Sequence, residues 1–300
     1  MIKYGIMADI HKANYSAIIR AIDLLKSRVD KLVINGDIGD DKQSIEFILQ
    51  NVAKTNIETY AQPGSHETIN DVEAQKGLLK KYTNLHIITQ PTIFRQSDHD
   101  IILLPGSMSH TKKSENGYYL ANESDQSGLI HSNSGDKYYT NIKVLAKLVE
   151  NPEKTIVFCH DSCKTETIKH GPDYAYSGNL ANGFIPGALF EQQIKNKLGY
   201  VPDFETLVHL ATQEGIELKK YNAGRISLRD AFNKIGIKKA ISAHFHEASH
   251  NACDSNNLLV DQNQFVNDLF WHAGTFDFGH TGILTVEGNK VKYENIKLNL

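Results

Sequence analysis

Over its first 160 residues the chain switches repeatedly between two hydrophobic periods, and this alternation limits the folds open to it. "IKYGIMAD" reads as a strand, and Ser16 to Lys26 carries a helical stripe of Ile18, Ala21, Ile22 and Leu25. "KLVING" is a short buried strand followed by a helix through "SIEFILQNVAK". "IETYAQ" is a third strand, "VEAQKGLLKKY" a third helix, and the apolar strands "LHIIT" and "DIILLPG" come next. Strand and helix in turn predict βαβ units and a largely parallel sheet, an α/β class. A length of 300 residues is compatible with a single domain over residues 1–300.

Residues 106–140, rich in Ser, Asn, Gly and His, read as a long loop before helix "IKVLAKLVE" and strand "TIVFCH". From about 161 to 236 the rhythm changes. The breaker-rich "GPDYAYSGNLANGFIPG" leads into helical patterns at "ALFEQQIKNKL", "DFETLVHLATQ" and "SLRDAFNKI". An inserted helical cap fits this stretch, and an ordinary helical layer with an irregular connection fits it equally. Strands "KAISAH" and "DLFWHAG" follow, and Gly288-Asn289 between "GILTVEG" and "KVKYENI" is a two-residue hairpin signal.

In an open α/β sheet, ligands bind outside the carboxyl ends of the strands. Five strand ends here deliver Asp or His: Asp9-Ile10-His11, Gly36-Asp37-Ile38-Gly39-Asp40, Gly64-Ser65-His66-Glu67, His160-Asp161 and His244-Phe245-His246. Carboxylate oxygen with imidazole nitrogen suits zinc, iron, manganese or nickel, and a shared carboxylate lets two such ions sit about 3.5–4 Å apart. Such a pair activates water and clamps the oxygens of an in-line displacement at phosphorus.

In order and strand context, Asp9-x-His11, Gly36-Asp37-x-x-Asp40, Gly64-Ser65-His66-Glu67, His160 and Ala243-His244-x-His246 resemble the motifs of the calcineurin-like metallophosphoesterases. The resemblance implies a four-layer α/β/β/α sandwich and two divalent metal ions. It implies one ion on Asp9, His11, Asp37 and His246, and a second on Asp37, Ser65, His160 and His244, with Asp37 bridging. A bridging hydroxide would attack phosphorus, and His66 would act as general acid for the leaving oxygen. The family pattern usually carries Asn where this chain has Ser65. A hydroxyl is shorter and a weaker ligand, so Ser65 either binds an ion, directly or through water, or only supports its turn. A second ion held more weakly than the first is the expectation that follows.

Around this set, Asp40 is expected to orient the ligands, with a solvent-facing turn as its other reading. Glu67 could set the tautomer of His66 or complement a helix N-terminus. His272 reads as a pocket residue or a structural polar group, and Arg225 and Lys112 as phosphate-steadying cations or solvated surface. Tyr174 and Tyr176 could meet substrate from the cap or simply pack there, and Cys159 reads as a buried thiol.

The functional expectation is a phosphodiesterase or phosphatase acting on a small or medium phosphorylated molecule. A Ser/Thr protein phosphatase would carry Arg directly after the GDxxD segment, where this chain reads Asp41-Lys42. A DNA or RNA nuclease needs a basic face, whereas the net charge is -3, the pI about 6.5, and the basic residues are dispersed. A non-catalytic binding module on the same fold is the alternative of another class. No run approaches the roughly 18 apolar residues of a membrane span, the opening stretch lacks a leader's features, and Cys159, Cys163 and Cys253 form no metal-type pair. These features predict no membrane partner and a cytoplasmic location.

Overall fold

A computed structural model of the chain describes residues 1–11, 13–108, 116–121, 127–131, 135–180, 183–200 and 202–299. The first part runs β1 (Ile2–Met7), α1 (Tyr15–Lys26), β2 (Lys31–Asn35), α2 (Lys42–Ala53), β3 (Glu58–Gln62), α3 (Ile69–Glu73), α4 (Lys76–Lys81) and β4 (Leu85–Ile87). It continues through β5 (Thr92–Arg95), β6 (Asp100–Leu104), β7 (Tyr118–Ala121), β8 (Gly128–Ile130), β9 (Lys137–Asn141), α5 (Leu145–Leu148) and β10 (Thr155–Cys159). The remainder is β11 (Tyr174–Leu180), β12 (Gly183–Pro186), α6 (Gly187–Leu198), α7 (Phe204–Gln213), β13 (Glu217–Asn222), α8 (Ile226–Ile235), β14 (Lys239–Ser242), β15 (Ala252–Cys253), β16 (Leu269–His272), β17 (His280–Glu287) and β18 (Lys290–Lys297). No helix among the described residues is long and apolar enough to cross a membrane.

Two six-stranded mixed sheets, in the orders β18-β17-β1-β2-β3-β4 and β15-β16-β14-β10-β6-β5, form the body. In each, four neighbouring strands run parallel; the antiparallel pair β17-β18 extends one edge of the first sheet, and antiparallel β15 and β5 close both edges of the second. Strands buried on both faces read as continuous apolar runs, as "KLVI" and "TIVFC" do. Tyr4, Ile6, Val33 and Tyr60 of the first sheet share one core with Ile101, Phe158, Ile241 and Trp271 of the second. The opposite face of the first sheet packs on α1 and α2 through Ile18, Ile22, Ile48 and Leu49. That of the second packs on α5 and α8 through Leu145, Leu228 and Phe232. The parallel strands of both sheets therefore bring their carboxyl ends to one pole.

Three stretches differ from the sequence reading. The expected third helix is split into α3 and α4, because the Gln75 side chain takes the Asp71 carbonyl at 3.1 Å and the Gln75 amide turns back to Val72 at 3.0 Å. Within 106–140, expected as loop, β7, β8 and β9 form a three-stranded sheet. Its tyrosines pair across strands, Tyr118 on Tyr138 and Tyr119 on Tyr139, with ring centroids 5.4 Å apart in both. Breaker residues crowd strands this short, so no period shows through. The 161–236 stretch is not only helical: α6 and α7 accompany a three-stranded antiparallel sheet, β12-β11-β13, around a small core of Tyr176, Ile185, Phe190, Ile194 and Leu207. Its last helix, α8, instead packs in the main body.

Candidate metal centre

The turns leaving β1, β2, β3, β10 and β14 converge, and their backbone is unusual where they do so. Asp9, His11, Asp37 and His244 all hold positive φ, at 48°, 46°, 49° and 76°. Each such residue costs of order 1–3 kcal/mol and persists only where its surroundings over-determine it. Two glycines make the close approach feasible. A Cβ on Gly36 would lie 2.3 Å from His160 Nδ1, and one on Gly64 would lie 2.5 Å from Asp37 Oδ1. Only a hydrogen at these positions lets the first sheet's turns meet the second sheet's histidine.

Asp9, Asp37 and His160 are fully or almost fully buried. Two groups of donor atoms form at this pole, Asp9 with His11 and His246, and Asp37 with His160 and His244. A third overlaps them, His11 and Asp37 with His66. Asp9 Oδ1 stands 4.0 Å from His11 Nε2, 3.7 Å from His246 Nε2 and 3.8 Å from His160 Nε2. Asp37 Oδ2 stands 3.8 Å from His11 Nε2 and 3.1 Å from His160 Nε2, so Asp37 faces both groups.

The imidazoles are aimed from behind. His160 Nδ1 donates to the Asn35 carbonyl at 3.0 Å, and His11 Nδ1 meets Asp40 Oδ1 at 3.1 Å, so both direct Nε2 at the carboxylates. Backing a ligand histidine in this way fixes its tautomer. Asp9 Oδ1 and His160 Nε2 are buried without a hydrogen-bond partner. Donors about 2.0–2.2 Å from one cation stand roughly 3–4 Å apart, as these atoms do, and a divalent ion fits the set.

Charge tells the same story. Burial opposes ionisation of His11, but the Asp40 hydrogen bond and the charges of Asp37 and Asp9 push its pKa up to about 10. Burial likewise opposes ionisation of His160, yet Asp37 and Asp9 raise it to about 10. Asp9 and Asp37 are held well below the carboxylate range against the cost of burial, Asp9 by His246 and His160 and Asp37 by His160 and His11. The pole thus demands positive charge, which protonated imidazoles supply in the ion-free protein.

Of the other expected residues, Glu67 departs from its place beside the His66 ring, while Ser65, Arg225 and His272 are held by specific partners. Glu67 does not touch the His66 ring; it accepts from the Gly39 amide at 3.2 Å and the Gly64 amide at 2.7 Å, and its burial, with the charge of Asp37, raises its pKa to about 7. The contact to His66 Nδ1 comes from Asp40 Oδ1, at 3.0 Å. Ser65 donates to Asp37 twice, from its amide to Oδ1 at 2.6 Å and from its hydroxyl to Oδ2 at 2.9 Å. The Arg225 Nε meets Asp161 Oδ2 at 3.3 Å. His272 is fully buried, and burial pushes its pKa down to about 3; its Nδ1 accepts from the Gly274 amide while Nε2 has no partner. Lys112 lies outside the described residues.

Four residues with no role in the sequence reading also shape the pole. Asn35 and Gln62 tie the sheets beneath it: Asn35 donates to the carbonyls of Cys159 and Ile241, and Gln62 to Asn35 and to the Phe158 carbonyl. An amide as the last residue of a buried strand, in "KLVIN" and "ETYAQ", was the available signal. Asp161 accepts from the Ser107 hydroxyl and the Met108 amide and lies 4.0 Å from His244 Nε2. Asp277, whose amide donates to the Asp9 carbonyl, keeps a buried Oδ1 without a partner. Its pKa is raised by burial, against the pull of His11 and His246.

Residues 2–248 match the family description calcineurin-like phosphoesterase. The crystal structure of TT1561 from Thermus thermophilus is 8% identical, covers 98% of this chain and 98% of its own, and superposes with a TM-score of 0.55, a likeness of fold. Phosphopantetheinyl hydrolase (PptH) from Mycobacterium tuberculosis is 9% identical over 92% of this chain and 91% of its own, with a TM-score of 0.43. No curated protein matches the chain by sequence.

Proposed function

Because the chain belongs to the calcineurin-like phosphoesterase family, we propose that it hydrolyses a small or medium phosphoester with two divalent ions. Asp9, His11 and His246 hold the first, Asp37, His160 and His244 the second, and Asp37 is shared. The observation that carries this reading is the unmet pair at the pole, Asp9 Oδ1 and His160 Nε2, among grouped donors that share one carboxylate. Bound there, divalent ions supply Lewis acidity toward phosphoryl oxygens and lower the pKa of water.

The chain's own groups do the rest. The amides of Ser65 and His66 both donate to Asp37 Oδ1, which fixes the shared carboxylate before any ion arrives. Asp40 holds His66 by Nδ1, leaving Nε2 to give its proton to the departing oxygen. The same Asp40 oxygen holds His11, so one carboxylate aligns a metal ligand and the proton donor together. Ser65 spends its hydroxyl on Asp37 Oδ2. A carboxylate already receiving three hydrogen bonds is a poorer donor, so the second ion binds more weakly than the first.

A substrate panel tests the reading. Protein loaded with manganese, nickel, iron or zinc is offered p-nitrophenyl phosphate, bis(p-nitrophenyl) phosphate and single-stranded DNA. Hydrolysis of either small ester, lost on His66→Ala with the fold intact by circular dichroism, is the expected result. Cleavage of DNA alone would favour the nuclease. Cleavage of nothing by protein carrying two bound ions would favour a binding module.

A further inference from the structure

A cavity of about 580 Å³ opens beside His246, walled by Glu191 and Lys195 of α6, Glu247 and Ser249 of the turn after β14, Phe278, and Lys297 of β18. This is room for a drug-sized group, and it adjoins the donors of the first ion. Its charges are not evenly matched. Glu191 and Lys195 stand four residues apart on one helix, the spacing of a stabilising ion pair. Yet Glu191 accepts instead from the Tyr176 hydroxyl, and the Lys195 ammonium lies 5.9 Å from the centre of the Phe278 ring.

Glu247 is compensated by another means. A Cβ on Gly187, the first residue of α6, would lie 2.6 Å from Glu247 Oε1. Its carboxylate therefore sits at a helix N-terminus, where the peptide dipoles favour an anion. Lys297 is paired through the strand backbone with His280, a residue that brings no negative charge. Both acids of the wall thus have favourable neighbours, whereas Lys195 and Lys297 make no ion pair with any described residue. Two ammonium groups without an ion-pair partner therefore line the cavity together with Phe278, beside His246.

We infer that this cavity is a substrate subsite beside His246, and that it selects phosphoesters that carry a second anion, a phosphate above all. The inference rests on the hydrolytic reading above for the position of the scissile group, but its test does not depend on turnover.

Adenosine 3′,5′-bisphosphate and adenosine 5′-phosphate differ by one phosphate and serve as probes. With metal-loaded protein, kcat/KM for the bisphosphate is expected to exceed that for the monophosphate by about tenfold, the range of a charge-assisted contact. In the double variant Lys195→Gln with Lys297→Gln the ratio should fall to within about twofold, and in the wild type it should shrink as salt screens the ammonium groups. Both lysines are exposed, so thermal midpoints should stay close to wild type. Equal rates in the wild type, or an unchanged ratio in the double variant, overturn the subsite. If neither nucleotide nor p-nitrophenyl phosphate is hydrolysed, the catalytic reading fails by itself. Calorimetric titration of the same two nucleotides then reads the subsite through their affinity ratio, by the same criteria.

Discussion

Two buried histidines, His99 and His160, each sit at the end of a strand near an aspartate, at opposite poles of the sheets. At His99 every polar atom is answered: Nδ1 donates to Asp98 Oδ1 at 2.7 Å, and Nε2 accepts from the Tyr4 hydroxyl at 2.7 Å. Asp98 Oδ2 in turn accepts from the Gly288 amide at 3.1 Å, and burial lowers the pKa of His99, favouring the neutral ring. At His160 Nδ1 is answered by the Asn35 carbonyl, while Nε2 makes no well-formed hydrogen bond although Asp37 Oδ2 lies 3.1 Å away and an unpartnered Asp9 Oδ1 3.8 Å away. An unsatisfied buried polar atom costs about 1–3 kcal/mol. Burial and an aspartate neighbour are therefore shared by a structural histidine and a proposed metal ligand. What separates them is whether the valences close within the protein.

The largest expected effect separates the two poles by activity. Asp37→Asn keeps the shape of the side chain but removes the charge both donor groups share. Hydrolysis should fall by about 10²–10³-fold, the scale of a lost transition-state contact, while circular dichroism stays native. Tyr4→Phe opens the closed pole by one hydroxyl. It should cost about 1 kcal/mol of stability in denaturant melts and leave turnover within the error of the assay. Comparable loss of turnover in both variants would abolish the contrast.

The contrast also explains what could be read from sequence. The main sheets were legible because buried strands are continuous apolar runs and helices carry a stripe, and the strand-end places of His11, Asp37 and His160 were legible because each follows such a run within a few residues. The positive φ at Asp9, His11, Asp37 and His244 was not legible, since Asp and His, though enriched in that conformation, adopt it only occasionally. Asp40 stands behind His11 as expected, but Glu67 was misjudged by adjacency: it is next to His66 in the chain, yet a turn swings its carboxylate onto Gly39 and Gly64 and leaves the ring to Asp40. The 116–141 sheet was lost because its strands are shorter than the window over which a period can be recognised. Asp277 was lost because only the fold brings its turn to Asp9.

Metal removal probes the same difference through stability. An ion that binds the folded chain at a hundredfold excess over its Kd adds about 2.7 kcal/mol, or roughly 5 °C in thermal midpoint for a chain of this size. Chelation followed by readdition of manganese should reverse that shift in the wild type and in Tyr4→Phe, and much less in Asp37→Asn. An undiminished shift in Asp37→Asn would place the ions elsewhere.

The smallest expected effect lies within the open pole, at Ser65. Its hydroxyl occupies Asp37 Oδ2, the oxygen nearest His160 Nε2, whereas Asp9 Oδ1 is unencumbered. Calorimetry should therefore resolve two manganese affinities in the wild type, the weaker belonging to the group around Asp37. Ser65→Asn exchanges a hydroxyl donor for a side chain with a carbonyl donor, and should tighten the weaker step by about tenfold, close to 1.4 kcal/mol. Ser65→Ala removes the hydroxyl without adding a ligand, and should move that step by less. Electron paramagnetic resonance gives an independent reading, since a coupled manganese pair should appear at lower added metal in Ser65→Asn. Two equal affinities in the wild type would mean that the hydroxyl yields Asp37 freely, and that both donor groups are equally open.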